Sequence, residues 1–258
     1  MNTFVFDIET IPDVESGRRL LDLKNLDDHD VANIMLQRRR QETGGSEFLR
    51  HYLHRIVAIS AVLKTSDKVK VWSLGEKESS EKELIQRFFD GVDKFVPTLV
   101  SWNGSGFDLP VLHYRALLHG VIAQRYWDTG DNDRDFKWNN YISRYHARHT
   151  DLMDVLAAYQ PRANAPLDQI ATMLGFPGKM GMSGARVWEN YQAGDIEGIR
   201  NYCETDVLNT YLVYLRFELM RGNLTEQAYN RDCENLRNTL VGENKEHLNG
   251  FLSVWQKP

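Results

Sequence analysis

The sequence predicts an α/β fold, a mixed five-stranded sheet with helices on both faces. Three observations predict it. The run Phe4-Val5-Phe6-Asp7-Ile8-Glu9 alternates with a period of two, so Phe4, Phe6 and Ile8 share one face of a strand. Segments 55–63 and 69–74 are apolar and joined across Ser66-Asp67, the spacing of an antiparallel hairpin. Helical spacing then alternates with short apolar strands, an order that covers both faces of a sheet.

Each element follows from local pattern. Residues 2–9 form the first strand, which Pro12 ends. A polar, helix-prone stretch over about 14–42 carries Gln37-Arg38-Arg39-Arg40 and closes at Thr43-Gly44-Gly45-Ser46; it is expected to be an insertion (14–54) between the first two strands. Ser80 before Glu81-Lys82-Glu83 starts a helix, with Leu84, Ile85, Phe88, Phe89 and Val92 at helical spacing. Residues 98–102 form a short strand. Asp108-Leu109-Pro110 opens the next helix, with Asp108 expected as N-cap. Residues 120–148 are aromatic and basic without a clear period. Thr150 to Leu156 runs from a short strand into a helix, and 166–174 forms another. Gly175 to Gly184 reads as a flexible glycine loop. Asp195 to about Leu219 is a long helix, followed by one over 225–240. The expected organisation is one domain over 1–258: a core to about 220 and a helical extension over 221–258.

Composition places the chain among soluble globular proteins. Its 258 residues suffice for a substantial core, and hydrophobic residues make up 42%. No apolar stretch approaches the ~18 residues of a membrane span. The N-terminus reads directly into a strand without a signal-type segment. Two cysteines, Cys203 and Cys233, form no disulfide framework and suit a reducing cytoplasm. Cys203 is expected to pack inside its helix. The net charge of −5 argues against nucleic acid only at first sight. Four of those charges are Asp7, Glu9, Asp108 and Asp206, and cations covering them leave the remainder near neutral.

Asp7 and Glu9 project from the same face of their strand. Side by side, two carboxylates repel each other and raise a pKa. Either they face water, or a hard cation such as Mg²⁺ or Mn²⁺ reverses the cost. Downstream come Asn103-Gly104-Ser105-Gly106-Phe107-Asp108 and Tyr202-Cys203-Glu204-Thr205-Asp206. A helix puts Tyr202 and Asp206 on one face, four residues apart.

With these three motifs, Asp-x-Glu, Asn-x-x-x-Phe-Asp and Tyr-x-x-x-Asp, in this order, the chain resembles the DEDDy branch of the DEDD 3′→5′ exonucleases. It is most similar to the proofreading exonuclease domain of family B DNA polymerases. The resemblance spans roughly residues 4 to 216. It implies a ribonuclease H-like fold with the Asp7 strand in the middle, and a site holding two divalent cations, Mg²⁺ or Mn²⁺. It further implies that Asp7 bridges both ions and that Glu9 and Asp206 complete the ion carrying the attacking water. Asp108 would serve the second ion, and Tyr202 would orient the nucleophile. Four convergent carboxylates without cations are destabilising, so the ion pair is also what charge repulsion demands.

The expected activity is a stand-alone, metal-dependent 3′-5′ exonuclease that releases nucleoside 5′-monophosphates from DNA, with single-stranded 3′ ends as partner and no membrane. The remaining residues leave no room for a polymerase domain, so proofreading would act in trans. The competing readings are an exoribonuclease of RNase D type and a module that binds nucleic acid without cutting it. Substrate contacts are expected at Thr10, Ile11, Asn103, Phe107 and Lys179, the last on a phosphate. Arg38–Arg40 and Arg144–His149 are candidates for a strand-tracking surface. His51-x-x-His54 and His146-x-x-His149 lack further ligands at zinc spacing. Asp151 and Asp154 are expected to brace the site rather than bind metal.

Overall fold

The structure is a computed structural model that describes residues 2–66 and 68–256. Its strands are β1 (Thr3–Pro12), β2 (His54–Lys64), β3 (Val69–Ser73), β4 (Thr98–Ser101) and β5 (His149–Asp151). They form one sheet in the order β3-β2-β1-β4-β5, so β1 lies in the middle as expected. β1 is antiparallel to β2 and parallel to β4, and β4 is parallel to β5. β2 and β3 pair antiparallel. Of the Ser66-Asp67 turn expected between them, Asp67 lies outside the described residues.

Ten α-helices occur among the described residues: α1 (Val14–Leu21), α2 (Asp28–Thr43), α3 (Glu81–Phe95), α4 (Asp108–His119), α5 (Leu152–Leu156), α6 (Leu167–Met173), α7 (Val187–Gln192), α8 (Ile196–Met220), α9 (Glu226–Glu243) and α10 (Glu246–Val254). α3 forms as its pattern dictates: the Ser80 side chain accepts from the Glu83 N–H, and Leu84, Ile85, Phe88, Phe89 and Val92 are all buried. Asp195 caps α8 in the same way, accepting from the Gly198 N–H at 2.9 Å. The short helix α7 carries no strong sequence signal and was not anticipated, whereas α9 and α10 make up the helical extension expected over 221–258.

The period of two in β1 divides the core. Phe4, Phe6 and Ile8 pack against α3 and α4, with Phe6 and Phe88 edge-to-face at 5.0 Å. On the other face Val5 joins Val100, Leu208, Leu212 and Leu236 under α8 and α9. The C-terminal extension belongs to that second layer. Leu240, Leu248, Phe251 and Trp255 are buried in it, and the Arg237 guanidinium lies 3.7 Å from the Trp255 ring centre. No helix among the described residues is long and apolar enough to cross a membrane.

The insertion is an ordered pair of helices, α1 and α2, over a small core of Val31, Met35 and Leu49. Gly17 lets them approach, since a Cβ there would collide with the Met35 sulfur. Asp13, at the start of the insertion, caps α1 and is buried beside Arg115 of α4. Arg115 also donates to Glu81 at 2.7 Å through Nε. Glu81 in turn accepts from the Ile56 N–H at 2.7 Å and meets His119. This buried cluster ties the end of β1, the start of α3 and the body of α4 together.

Two sequence expectations need correction. β1 runs on to Pro12, so Asp7 and Glu9 sit within the strand and not at its end. Asp108 is not the N-cap of α4. Phe107 holds that position, without a side-chain cap bond, and Asp108 is the first helical residue.

The buried cluster has a measurable consequence. Arg115→Ala leaves the Asp13 and Glu81 carboxylates without their shared cation. Urea unfolding of this variant is expected to show a loss of about 3–5 kcal/mol, the cost of breaking a buried ion pair from one side.

Candidate active site

The site grows from a gap in the sheet. β1 pairs with β4 only as far as Val5 opposite Val100. Beyond that point β4 turns away, and the Ile8 N–H on that side of β1 has no strand to meet. The Asp108 carboxylate takes it instead, accepting at 3.2 Å. That is why Asp108 is drawn out of the capping role: it completes the ladder of the central strand.

Asp7 and Glu9 project from the opposite face to Phe6 and Ile8, toward α8. There α8 presents Tyr202 and Asp206 one turn apart, and the Tyr202 hydroxyl donates to the Asp206 carboxylate. Cys203 lies between these elements. Its thiol donates toward the Asp7 backbone oxygen at 3.4 Å and the Asp7 carboxylate at 3.6 Å. Ligand atoms of Asp7, Glu9 and Cys203 all lie within 4.8 Å of one another. The thiol is thus the floor of the site and not mere helix packing. The signal was available: Cys203 is three residues before Asp206, on the same helical face.

Four carboxylates therefore share one low-dielectric pocket. Burial, followed by the charges of Asp108, Glu9 and Asp206, raises the Asp7 pKa far above its ordinary value. Burial and the charges of Asp206 and Asp108 do the same to Glu9. Burial is also the main cause at Asp108, pushed up to about 7, and at Asp206, pushed up to about 6. Among the described residues no Lys, Arg or His nitrogen forms an ion pair with any of the four. The same environment holds Tyr202 fully protonated, because burial and the charge of Asp206 both oppose a phenolate.

The loop before α4 is held by Asp151. Its two oxygens accept from the Asn103 N–H at 2.9 Å and the Ser105 N–H at 2.8 Å. Asp151 thus braces the site, as expected. Asn103 itself adopts a left-handed backbone with φ of 63°. Gly104 is required beside it, since a Cβ would strike the Ser101 hydroxyl.

The remaining sequence candidates scatter. Thr10 Oγ1 bonds the His54 ring at 2.9 Å, and Thr10, Ile11 and Phe107 line a groove that opens on Glu9. Lys179 is exposed on the glycine-rich loop, where its charge favours ionised Asp206. Arg39 and Arg40 pair with Glu42 and Glu47. Arg148 lies over the Phe136 ring at 4.2 Å, a packing role. All four histidines of the two spaced pairs hydrogen-bond protein groups: His51 donates to the Gly106 carbonyl, His54 bonds Thr10, His146 accepts from the Asn140 N–H, and His149 bonds the Ser101 hydroxyl.

A family model described as "Predicted 3'-5' exonuclease related to the exonuclease domain of PolB" matches residues 46–255. The chain belongs to this family of 3′-5′ exonucleases. The matched span includes Asp108, Tyr202 and Asp206, and it begins after Asp7 and Glu9. A DNA polymerase 1 from Sulfurisphaera ohwakuensis is 48% identical over 42 residues, which is 16% of this chain and 5% of that polymerase. An exonuclease of this kind acts on nucleic acid and uses divalent metal ions. The donor set fits such ions: four carboxylates, Glu9 and Asp108 buried and Asp7 and Asp206 half-buried, all oxygen and without an ion-pair partner among the described residues.

The raised carboxylate pKa values carry a sign. A carboxyl whose folded-state pKa exceeds its ordinary 3.8 holds an extra proton in the folded state between the two values. Metal-free protein is therefore expected to lose stability as pH rises from about 4 to about 7. Adding Mn²⁺ near pH 7 should restore it, as thermal melts in EDTA and in Mn²⁺ would show. Asp108→Asn keeps an oxygen for the Ile8 N–H and removes one charge. Its metal-free melting midpoint at pH 8 is expected to rise by a few degrees, at about 2–4 °C per kcal/mol for a chain of this size.

Proposed function

We propose that this exonuclease removes nucleoside 5′-monophosphates from the 3′ ends of single-stranded DNA with two divalent cations. The observation that supports the reading is the convergence of Asp7, Glu9, Asp108 and Asp206 from three separate elements onto one buried point. Asp7, Glu9 and Asp206 would hold one Mg²⁺ or Mn²⁺, and Asp7 with Asp108 the second. When bound, such ions would supply the Lewis acidity that activates water for phosphodiester hydrolysis.

The chain's own residues do the rest. Tyr202, kept protonated by its surroundings and donating its proton to Asp206, would orient the water as an acceptor through its hydroxyl oxygen and not act as a base. Asp108 is positioned through the Ile8 N–H, so the strand itself sets where that carboxylate points. Thr10, Ile11 and Phe107, which line the groove beside Glu9, and Asn103 of the loop before α4 would contact the terminal nucleotide. Lys179 reaches a phosphate from the glycine-rich loop. The chain works as one exonuclease domain, with the insertion and the C-terminal helices packed on its core. Its two free, buried cysteines suit a reducing cytoplasm.

The test uses oligonucleotides labelled at the 3′ or the 5′ end, as DNA and as RNA, with and without EDTA. A 3′ label should leave at once as a mononucleotide, a 5′ label should give a descending ladder, and EDTA should stop both. Faster cutting of RNA would favour the exoribonuclease reading. Asp7→Ala is expected to lower the rate by well over the roughly 10–100-fold typical of outer-shell metal partners, with an unchanged circular dichroism spectrum. Activity retained in that variant overturns the assignment.

A further inference from the structure

Of the four acids, Glu9 opens onto a groove of about 740 Å³, within the roughly 300–1,000 Å³ of small-ligand pockets. Glu9, Thr10 and Ile11 form its floor. One wall is the insertion, through Asn33 and Leu36 of α2 and Phe48 and Leu49 after it. Trp188 of α7, its ring stacked on Tyr191 at 6.0 Å, also lines it. Apart from Arg38–Arg40, the sequence gives the insertion no part in handling the substrate, and it gives α7 none; the family match begins only at residue 46.

Three features of the groove point to its occupant. Its walls are aromatic and apolar: Phe48 is 54% exposed, with its ring 5.3 Å from that of Phe107. Its charged lining away from the floor, Glu47 and Glu189, is paired with Arg40 and Arg186, and no lysine or arginine lines the groove itself to draw a phosphate in. Its neutral polar groups, Asn33 and Gln192, offer the donors and acceptors that suit the edge of a base. The wall is also braced. Arg39 of α2 donates to the Phe48 carbonyl at 2.8 Å, and the Phe48 ring lies 5.1 Å from His54, which is itself bonded to Thr10.

We infer that Phe48 and Trp188 form a clamp for the unpaired nucleobase of the 3′-terminal nucleotide, with the insertion as its outer jaw. The inference rests on the nuclease reading above and adds the part of the substrate that the acids do not touch. Stacking on aromatic side chains is how proteins hold single-stranded bases without regard to sequence. A phosphate at the carboxylates and a base in the groove would divide the terminal nucleotide between the two halves of the site.

The test compares 5′-labelled DNA strands that end in a normal or an abasic 3′ nucleotide. Hydrolysis of the last bond is followed in Mn²⁺, and binding is followed by fluorescence anisotropy in EDTA. The unsubstituted protein is expected to favour the base-bearing end by roughly ten- to hundred-fold, and Phe48→Ala and Trp188→Ala should each bring the ratio toward one. An unchanged ratio in both variants, or an equal fall on both substrates, overturns the clamp. A wild-type protein that binds with the expected ratio but cuts neither strand would refute the nuclease reading and leave the clamp standing.

Discussion

The constraint on which the rest of this structure depends is the crowding of four carboxylates around the middle of the central strand. Like charges in a low-dielectric pocket repel over several ångströms, and burial adds its own cost. A protein relieved of that cost by metal still has to hold the oxygens in place before the metal arrives. The structure does so with rigid elements. Asp7 and Glu9 are fixed by the ladder to β2, Asp108 by the Ile8 N–H, and Asp206 by the Tyr202 hydroxyl on the preceding turn.

Further bracing keeps those elements from relaxing apart. Arg115 anchors α4 to Asp13 just beyond β1, at the far side of the stretch that carries the acids. On α8, Glu204 sits between Tyr202 and Asp206 and faces away from the site. Its carboxylate accepts from the Ser73 N–H of β3 at 2.9 Å and from His247 of α10 at 2.8 Å. The C-terminal extension thereby fixes the helix that carries two of the site residues. Asp151 performs the matching task for the loop over 103–107. Repulsion at the centre is thus balanced by hydrogen bonds and ion pairs around its edge, which makes the site pre-organised.

Much of the candidate site was legible because each piece is local. Asp7 and Glu9 share a face by strand parity, and Tyr202 and Asp206 by helical spacing. Asp108 was found in its motif but given the wrong local task, since an Asp next to a helix start looks like a cap. Only the departure of β4 after Val100 exposes the Ile8 N–H that claims it. Cys203 was read as packing because its position against Asp7 depends on a contact across 196 residues. The groove walls were invisible for the same reason: Phe48 and Trp188 meet Glu9 only through the fold.

What the sequence alone determined are features set by short-range periodicity and chemistry: the parity of β1, the apolar stripe of α3, the long helix α8 and the identity of the acids; the central place of the Asp7 strand is what the family resemblance implied. The tertiary structure decided what those residues touch. It made Asp108 a partner of the strand ladder, Cys203 the floor of the site, the insertion a wall of the groove and the tail a brace for α8. The physical reason is separation along the chain. Ile8 to Asp108 spans 100 residues, Asp13 to Arg115 spans 102 and Ser73 to Glu204 spans 131, and no local pattern encodes a hydrogen bond at such a distance.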